Sequence, residues 1–201
     1  MCTRHKQRGI SLIELIMFIM IVSVALAGIL LVMNVTTLHS SDPLVHKQAL
    51  AIAESLLEEI ELMPFTYCDP DDANAASAAS AVNCAATVEA LGAETIAGVK
   101  EDRYGTASPA VNASFDNVND YSGFSMVAGS IMDITNTNIG LNGYSASVTM
   151  TQPNLVAPSG TVAGIDGNGA PQVLLINVTV TGPDNVPITL EGYRTRYSPK
   201  A

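Results

Sequence analysis

Residues 8–33 read RGISLIELIMFIMIVSVALAGILLVM, and beyond Arg8 this run carries one charge, that of Glu14. From Leu15 to Met33 no side chain is ionisable. A helix of this length rises about 28 Å, which is close to the roughly 30 Å hydrocarbon core of a bilayer. The stretch therefore predicts a membrane-spanning helix.

Glu14 stands near the start of this apolar run. Burying a carboxylate at the centre of a bilayer costs on the order of 2.5 kcal/mol or more, so a charge in such a helix is a functional candidate. The alternative is a carboxylate that reaches the interface and is solvated, since Glu14 lies close to the last basic residue, Arg8.

A short basic leader precedes the helix and contains Arg4, His5, Lys6 and Arg8. Basic residues favour the cytoplasmic side of a membrane. The predicted orientation therefore keeps the N-terminus in the cytoplasm and sends the C-terminus out of it.

Three interpretations of this segment compete. A secretory signal would use residues 25–27, Ala-Leu-Ala, as its cleavage site, but the apolar run continues undiminished through residues 28–33. An ordinary signal anchor gives no reason for the Gly9–Ile10 junction or for Glu14. The third interpretation is a precursor that is cut at that junction and loses only residues 1–9.

The third interpretation rests on a resemblance. Residues 9–14, GISLIE, resemble the G|FTLIE motif of type IV pilins and type II secretion pseudopilins, with Ile10 where Phe is commonest and Ser11 in place of Thr. The resemblance implies that a prepilin peptidase cuts between Gly9 and Ile10 and that the new amine of Ile10 is methylated. It also implies assembly with other major and minor pilins at an inner-membrane pilus assembly platform, and it implies no cofactor.

In a filament of such subunits, Glu14 would lie among packed apolar helices. A buried carboxylate needs a partner, and the charged amine of Ile10 on a neighbouring subunit would supply one. Such a pair would fix the axial register between subunits, as a buried polar contact fixes register in coiled coils.

The composition fits an exported domain. The formal charge is −10, and removal of the three basic leader residues leaves six basic against nineteen acidic residues, or −13. A nucleic-acid partner is excluded as a function class, because phosphate binding requires a basic surface.

Cysteine usage agrees with an oxidising compartment. Cys2 would leave with the leader, and Cys68 and Cys84 remain as an even pair. A bridge between them would close a loop of about 17 residues and stabilise the fold by roughly 3 kcal/mol. Two free thiols are the alternative, whereas a zinc site is disfavoured because neither His39 nor His46 has ligand spacing to these cysteines.

Helical periodicity resumes after Pro43. Apolar residues recur at steps of three and four, namely Val45, Ala49, Ile52, Leu56, Ile60 and Met63. Pro43 is expected either to kink one long helix or to lie in the first turn of a second one that is capped by Ser41 or Asp42. The stripe is expected to pack on the head, and Pro64 is expected to stop the helix.

Residues 64–122 are predicted to be a connecting region that the disulfide closes. The carboxylates of Asp69, Asp71 and Asp72 have a spacing that calcium can use, and Asp166 with Asn168 is a second candidate. A solvated turn is the alternative at both places. The aromatic residues of 115–124 are expected to pack this region onto the head, with a carbohydrate platform as the alternative.

From about Gly123 the apolar period is two. Four strands are predicted within residues 123–133, 143–151, 172–182 and 186–197, and a hairpin loop at 182–185 joins the last two. Strict alternation in the third strand suits an antiparallel sheet with one face on a helix.

The predicted fold class is α+β and type IV pilin-like. A long N-terminal helix, with a membrane half at 10–33 and an amphipathic half at 34–63, is expected to pack on an antiparallel β-sheet head at 123–201.

Three further segments resemble the MshD-type minor pilins of the mannose-sensitive haemagglutinin (MSHA) pilus, namely residues 53–60, 115–124 and 192–197. This resemblance implies a low-abundance subunit of a surface pilus used in attachment, assembled from the inner membrane of a Gram-negative bacterium. A type II secretion pseudopilin and a membrane-anchored glycan-binding surface protein are the alternatives. No enzyme is predicted, because no nucleophile–base pair, metal-ligand set or glycine-rich phosphate loop is visible.

Overall fold

The computed structural model describes residues 9, 11–38, 42–106, 113–158 and 160–196. The chain forms two compact units, Met1–Leu44 and Val45–Ala201. The first unit holds the apolar helix. The second unit, which we call the head, holds most of the amphipathic helix and all the strands.

The apolar helix, α1, spans Leu12–Leu38. Its first turn is closed by the carbonyl of Ser11, which accepts hydrogen bonds from the backbone N–H groups of Glu14 at 3.0 Å and Leu15 at 3.1 Å. Residues 12–35 are long and apolar enough to cross a membrane. The helix continues past the predicted membrane segment because residues 34–38 contain neither Gly nor Pro.

The amphipathic helix, α2, spans Asp42–Leu62. Pro43 lies in its first turn, where a missing N–H breaks no helical hydrogen bond, and the helix ends just before Pro64 as predicted. Residues 39–41 lie outside the described part of the chain. The predicted continuity of the two helices, and a cap by Ser41, fall there.

The predicted apolar stripe of α2 is confirmed. Its central members are at most 9% exposed, namely Ala49, Ile52, Leu56 and Ile60. Val45 and Met63, at the two ends of the stripe, are partly buried against the same core. The stripe therefore supplies one wall of the hydrophobic core of the head.

In the described part of the chain after α2 there are eight strands, namely β1 (Thr95–Ile96), β2 (Val99–Lys100), β3 (Ser125–Met126), β4 (Ser145–Thr151), β5 (Leu155–Ala157), β6 (Gly160–Val162), β7 (Val173–Thr181) and β8 (Pro187–Thr195). Four of them form an antiparallel sheet in the order β3-β4-β7-β8. The strands β1 and β2 pair with each other, as do β5 and β6. The predicted fold class, α+β with an antiparallel sheet, is confirmed.

Alternation along β7 explains which face of the sheet is buried. Its inward side chains are fully buried, namely Leu174, Ile176, Val178 and Val180. They join the α2 stripe in one hydrophobic cluster. The loop at 182–185 connects β7 to β8 as predicted, and the N–H of Asn185 donates to the Gly182 carbonyl at 3.0 Å.

The edge strand β8 lies very close to α2 at Gly192. A Cβ atom at this position would lie 3.0 Å from Cδ1 of Leu57 and closer still to the carboxylate of Glu61. Glycine therefore lets the helix lie against the sheet here, since any side chain would push the two apart.

The first predicted strand, 123–133, is much shorter in the structure. Only Ser125–Met126 is strand, because the chain turns at Gly129, whose φ is +80°. The N–H of Ser130 donates to the Val127 carbonyl at 3.0 Å and closes this turn. A positive φ is readily adopted by glycine, so the turn ends the strand.

A buried ion pair fixes the connecting region to α2. The Arg103 guanidinium donates from Nε to Oε1 of Glu59 at 2.7 Å and from Nη2 to Oε2. The Tyr121 hydroxyl donates to the same Oε1 at 2.6 Å. Burial lowers the pKa of Arg103, but the hydrogen bonds and charge of Glu59 outweigh it and raise that pKa above its ordinary value. Arg103 therefore stays charged and needs Glu59.

Replacement of Glu59 by alanine tests this tie. We expect Glu59→Ala to lower the free energy of unfolding by roughly 3–5 kcal/mol, because it leaves a buried guanidinium without its counter-charge. The measurement is chemical denaturation of the full chain in detergent. Glu58→Ala, one residue earlier and exposed, is the matched control, and equal unfolding midpoints for the two variants would contradict the assignment.

Candidate functional site

The N-terminal residues singled out by the sequence lie at the start of α1. Glu14 is in the first turn and its side chain is exposed, as is Gly9. Ile10, the predicted new N-terminus, lies outside the described residues. A carboxylate in a first turn interacts favourably with the exposed backbone N–H groups of the helix.

The surface of α1 is apolar on every side. None of the described side chains in residues 11–35 is buried, and the large exposed ones include Leu12, Ile16, Phe18, Leu26 and Leu30. A helix that is hydrophobic all round is stable only when lipid or protein covers it. The helix therefore requires a membrane or a bundle of other helices.

Small residues along α1 permit close packing of neighbouring helices. Ser23, Ala25, Ala27 and Gly28 lie within one short stretch, and the Ser23 hydroxyl donates to the Ile19 carbonyl at 2.7 Å. This internal hydrogen bond satisfies the hydroxyl donor in an apolar environment. Small side chains are typical of surfaces where helices in a membrane approach each other.

The predicted disulfide, Cys68–Cys84, is present, with 5.4 Å between the Cα atoms. Cys68 is buried, and it also forms an isolated β-bridge with Val88. The bridge therefore closes the loop that follows α2, as the sequence indicated.

Asp72 organises the disulfide loop through hydrogen bonds to its carboxylate. Its carboxylate accepts from four backbone N–H groups at 2.6–3.0 Å, those of Asn74, Ala85, Ala86 and Thr87. These hydrogen bonds hold the pKa of Asp72 well below its ordinary value. Asp69 is buried, so the acidic cluster is not the solvated turn predicted as the alternative, and calcium binding by Asp69, Asp71 and Asp72 stays a prediction.

Asp166 also forms a turn. Its Oδ1 atom accepts from the N–H groups of Asn168 and Ala170, both at 2.8 Å. The pattern is a side-chain-closed turn of the kind that Asp favours in loops. These two hydrogen bonds to Oδ1 form the turn that was predicted for Asp166 and Asn168 as the alternative to a calcium site.

The aromatic residues of 115–124 pack onto the head. Phe115, Tyr121 and Phe124 contact one another edge to face, with ring centroids 4.9–6.0 Å apart. Tyr121 is fully buried, and burial together with the hydrogen bond to Glu59 raises its pKa above the ordinary value. For Tyr121 the predicted packing onto the head is confirmed. A carbohydrate platform does not apply to this residue, because a buried ring cannot stack on a sugar.

One polar feature of the connecting region was not predicted from the sequence. Four of its carboxyl groups are at most 5% exposed, namely Asp69, Glu89, Glu101 and Asp120. The sequence feature that points to these carboxyl groups is an excess of acidic residues, since residues 69–120 contain nine acidic and two basic residues. No motif spacing marks the residues that the fold brings together.

One comparison with known proteins concerns the N-terminus. The prokaryotic N-terminal methylation motif matches residues 4–30, a range that contains the basic residues of the leader, the Gly9–Ile10 junction and Glu14. No curated protein matches the chain, and no solved structure matches it. The motif marks the chain as a type IV pilin-like or pseudopilin-like precursor, and together with α1 it indicates anchoring in a membrane.

Removal of the disulfide tests its contribution to the head. We expect Cys68→Ala combined with Cys84→Ala to lower the stability by roughly 3 kcal/mol, because the unfolded chain regains the entropy of an open loop. For a domain of this size that corresponds to a fall of roughly 6–12 °C in the thermal midpoint. The measurement is thermal unfolding of the full chain with and without reductant.

The matched control is Cys2→Ala, which leaves the bridge intact. Its midpoint should equal that of the wild type and should fall when reductant is added. A double variant as stable as the oxidised wild type would contradict a stabilising role for the bridge.

Proposed function

We propose that this pilin-like precursor is a minor subunit of a type IV pilus of the MSHA type. Prepilin peptidase cleaves it between Gly9 and Ile10, the new amine of Ile10 is methylated, and α1 holds the subunit in the inner membrane with the head in the periplasm. The subunit then joins other major and minor pilins at the assembly platform, in a filament that supports attachment. The proposal is carried by an apolar helix in which no described side chain is buried, and whose one carboxylate, Glu14, lies within the methylation motif.

The placement of Glu14 supports the proposed assembly step. On a single subunit the carboxylate is exposed in the first turn of α1. Packing of α1 against neighbouring helices would remove this carboxylate from water, at a cost that a positive partner offsets. The methylated amine of Ile10 on the next subunit is that partner. The pair then sets how far one helix is shifted along the next.

The assignment to the MSHA type rests on the three segments that resemble MshD-type pilins. Residues 53–60 supply the middle of the α2 stripe, and residues 115–124 supply the packed aromatic group. Residues 192–197 begin with the glycine at the closest approach of β8 to α2. All three segments therefore contribute to packing in the head, where the proposed relatives would share structure.

A pseudopilin of a type II secretion system is the alternative. A pseudopilin would use Gly9, Ile10 and Glu14 in the same way, for cleavage, methylation and assembly. The N-terminal segment therefore does not distinguish a pilus subunit from a pseudopilin. They differ in the machinery that the chain joins. Co-purification with sheared surface pili supports the pilus, and co-purification with a secretion complex alone supports the alternative.

The Glu14→Ala variant tests the assembly role. We expect it to be cleaved and held in the membrane like the wild type, because neither step requires the partner subunit. Its amount in sheared pili should fall about tenfold or more. The reason is that loss of a buried charge pair costs at least the free energy that corresponds to a tenfold change in incorporation. The measurement is quantitative immunoblotting of pilus and membrane fractions.

Glu54→Ala, which removes an exposed glutamate from α2, is the matched control and should be incorporated normally. Normal incorporation of Glu14→Ala would refute the proposed role of this carboxylate.

A further inference from the structure

We propose that the head contains a calcium-binding site formed by Glu89, Glu94 and Asp120. This inference goes beyond the proposed function and does not depend on it. Each of the three residues offers one carboxylate oxygen, and these oxygens all lie within 4.8 Å of one another. A single cation between them can contact all three.

The three ligands come from separate parts of the connecting region. Glu89 follows the disulfide loop, and its N–H donates to the Tyr67 carbonyl at 3.0 Å. Glu94 directly precedes β1, and Asp120 lies in the 3-10 turn Val118–Tyr121. An ion at this point would join three segments of the connecting region.

Backbone hydrogen bonds hold two of the carboxylates in place and leave one oxygen of each without an N–H or hydroxyl donor. Asp120 Oδ2 accepts from the N–H groups of Asp116 at 2.9 Å and Asn117 at 2.8 Å. Glu94 Oε1 accepts from the N–H of Ala90 at 2.8 Å. Within the described part of the chain, Asp120 Oδ1 and Glu94 Oε2 are buried and accept no hydrogen bond from an N–H or hydroxyl group. The site is therefore preorganised, with free oxygens for a further ligand.

Glu89 is the most informative member of the site. It is 1% exposed, and neither of its carboxylate oxygens accepts a hydrogen bond from an N–H or hydroxyl group among the described residues. A buried polar group without a partner costs free energy comparable to a lost hydrogen bond, and a buried charge costs more. An ionised Glu89 carboxylate in this position requires a cation.

The buried arginines of the head do not serve as that cation. Arg103 is paired with Glu59. Arg196 lies over the rings of Phe65 and Tyr67, 4.2 and 4.1 Å from their centroids, and donates to the Pro171 carbonyl at 2.9 and 3.0 Å. Both guanidinium groups are therefore held by other partners.

Like charges add to the cost of an ionised Glu89. The ligand oxygens of Glu94 and Asp120 lie within 4.8 Å of that of Glu89, and like charges at this separation repel one another. A cation between the three carboxylates would remove this repulsion.

The donor set favours calcium over other divalent ions. Calcium takes six to eight oxygen ligands in flexible geometry, and the site offers carboxylates only. Zinc prefers nitrogen and sulfur ligands. Magnesium usually keeps several waters and requires near-ideal octahedral geometry, which suits a buried site less well. Millimolar calcium outside the cytoplasm would fill a site of even modest affinity.

Calcium titration of the full chain tests the proposal. The protein, purified in detergent and stripped with EDTA, is dialysed free of chelator and titrated with CaCl₂ by calorimetry and by thermal unfolding. We expect one calcium ion per chain and a rise of roughly 5–10 °C in the thermal midpoint at a free concentration of ~100 times Kd. Failure of the wild-type chain to bind calcium would overturn the proposal, and so would an equal rise with the same concentration of MgCl₂.

The variant Glu89→Gln separates an ion site from a merely structural cluster. We expect it to lose the calcium-dependent shift, while its midpoint in EDTA is no lower than that of the wild type because glutamine keeps the shape of the side chain and places no charge in the buried site. Glu54→Gln, an exposed glutamate of α2, should keep the full shift. An undiminished shift in Glu89→Gln would overturn the assignment of the ligands. The wild-type titration remains decisive if this variant does not fold.

Discussion

The constraint on which this molecule depends is an apolar helix with no buried face of its own. Every described side chain of α1 up to residue 35 is accessible, so the helix must be covered by something other than the chain itself. A lipid bilayer does so before assembly, and neighbouring α1 helices would do so afterwards. Only the second environment demands a partner for Glu14, and this difference gives the carboxylate its proposed role.

The head solves a different problem, since a long connecting region with few large apolar side chains must be held in place. The core between α2 and the sheet is hydrophobic, and the described part of residues 64–122 adds polar and covalent contacts to it. The Cys68–Cys84 bridge closes the first loop, and the carboxylate of Asp72 accepts hydrogen bonds from backbone N–H groups of that loop. Further along the chain, Arg103 forms an ion pair with Glu59 of α2. Among the described residues, no lysine or arginine forms an ion pair with the carboxylates of Glu89, Glu94 and Asp120, and calcium would supply their counter-charge.

Features encoded within one continuous segment were predictable from the sequence. The stripe of α2 and the alternation of β7 are visible as periods of 3.6 and 2 residues, and the disulfide followed from the parity of the cysteines. Features that depend on distant residues were not predictable. Glu59 and Arg103 are 44 positions apart, and no pattern links Glu89 to Asp120. Asp72 shows a further limit of sequence analysis. Its spacing from Asp69 and Asp71 is compatible with a metal site or with a turn, and the sequence does not show which backbone N–H groups donate to its carboxylate.

The most direct test of the central claim is the intact mass and N-terminal sequence of the protein extracted from its native membrane. If α1 is the assembly helix of a pilin-like subunit, the mature chain begins at an N-methylated Ile10 and lacks residues 1–9. A chain that begins at Gly28, or one that retains the leader, would contradict the account. In the first case most of the apolar helix is removed by ordinary signal cleavage, and in the second the helix is only an anchor.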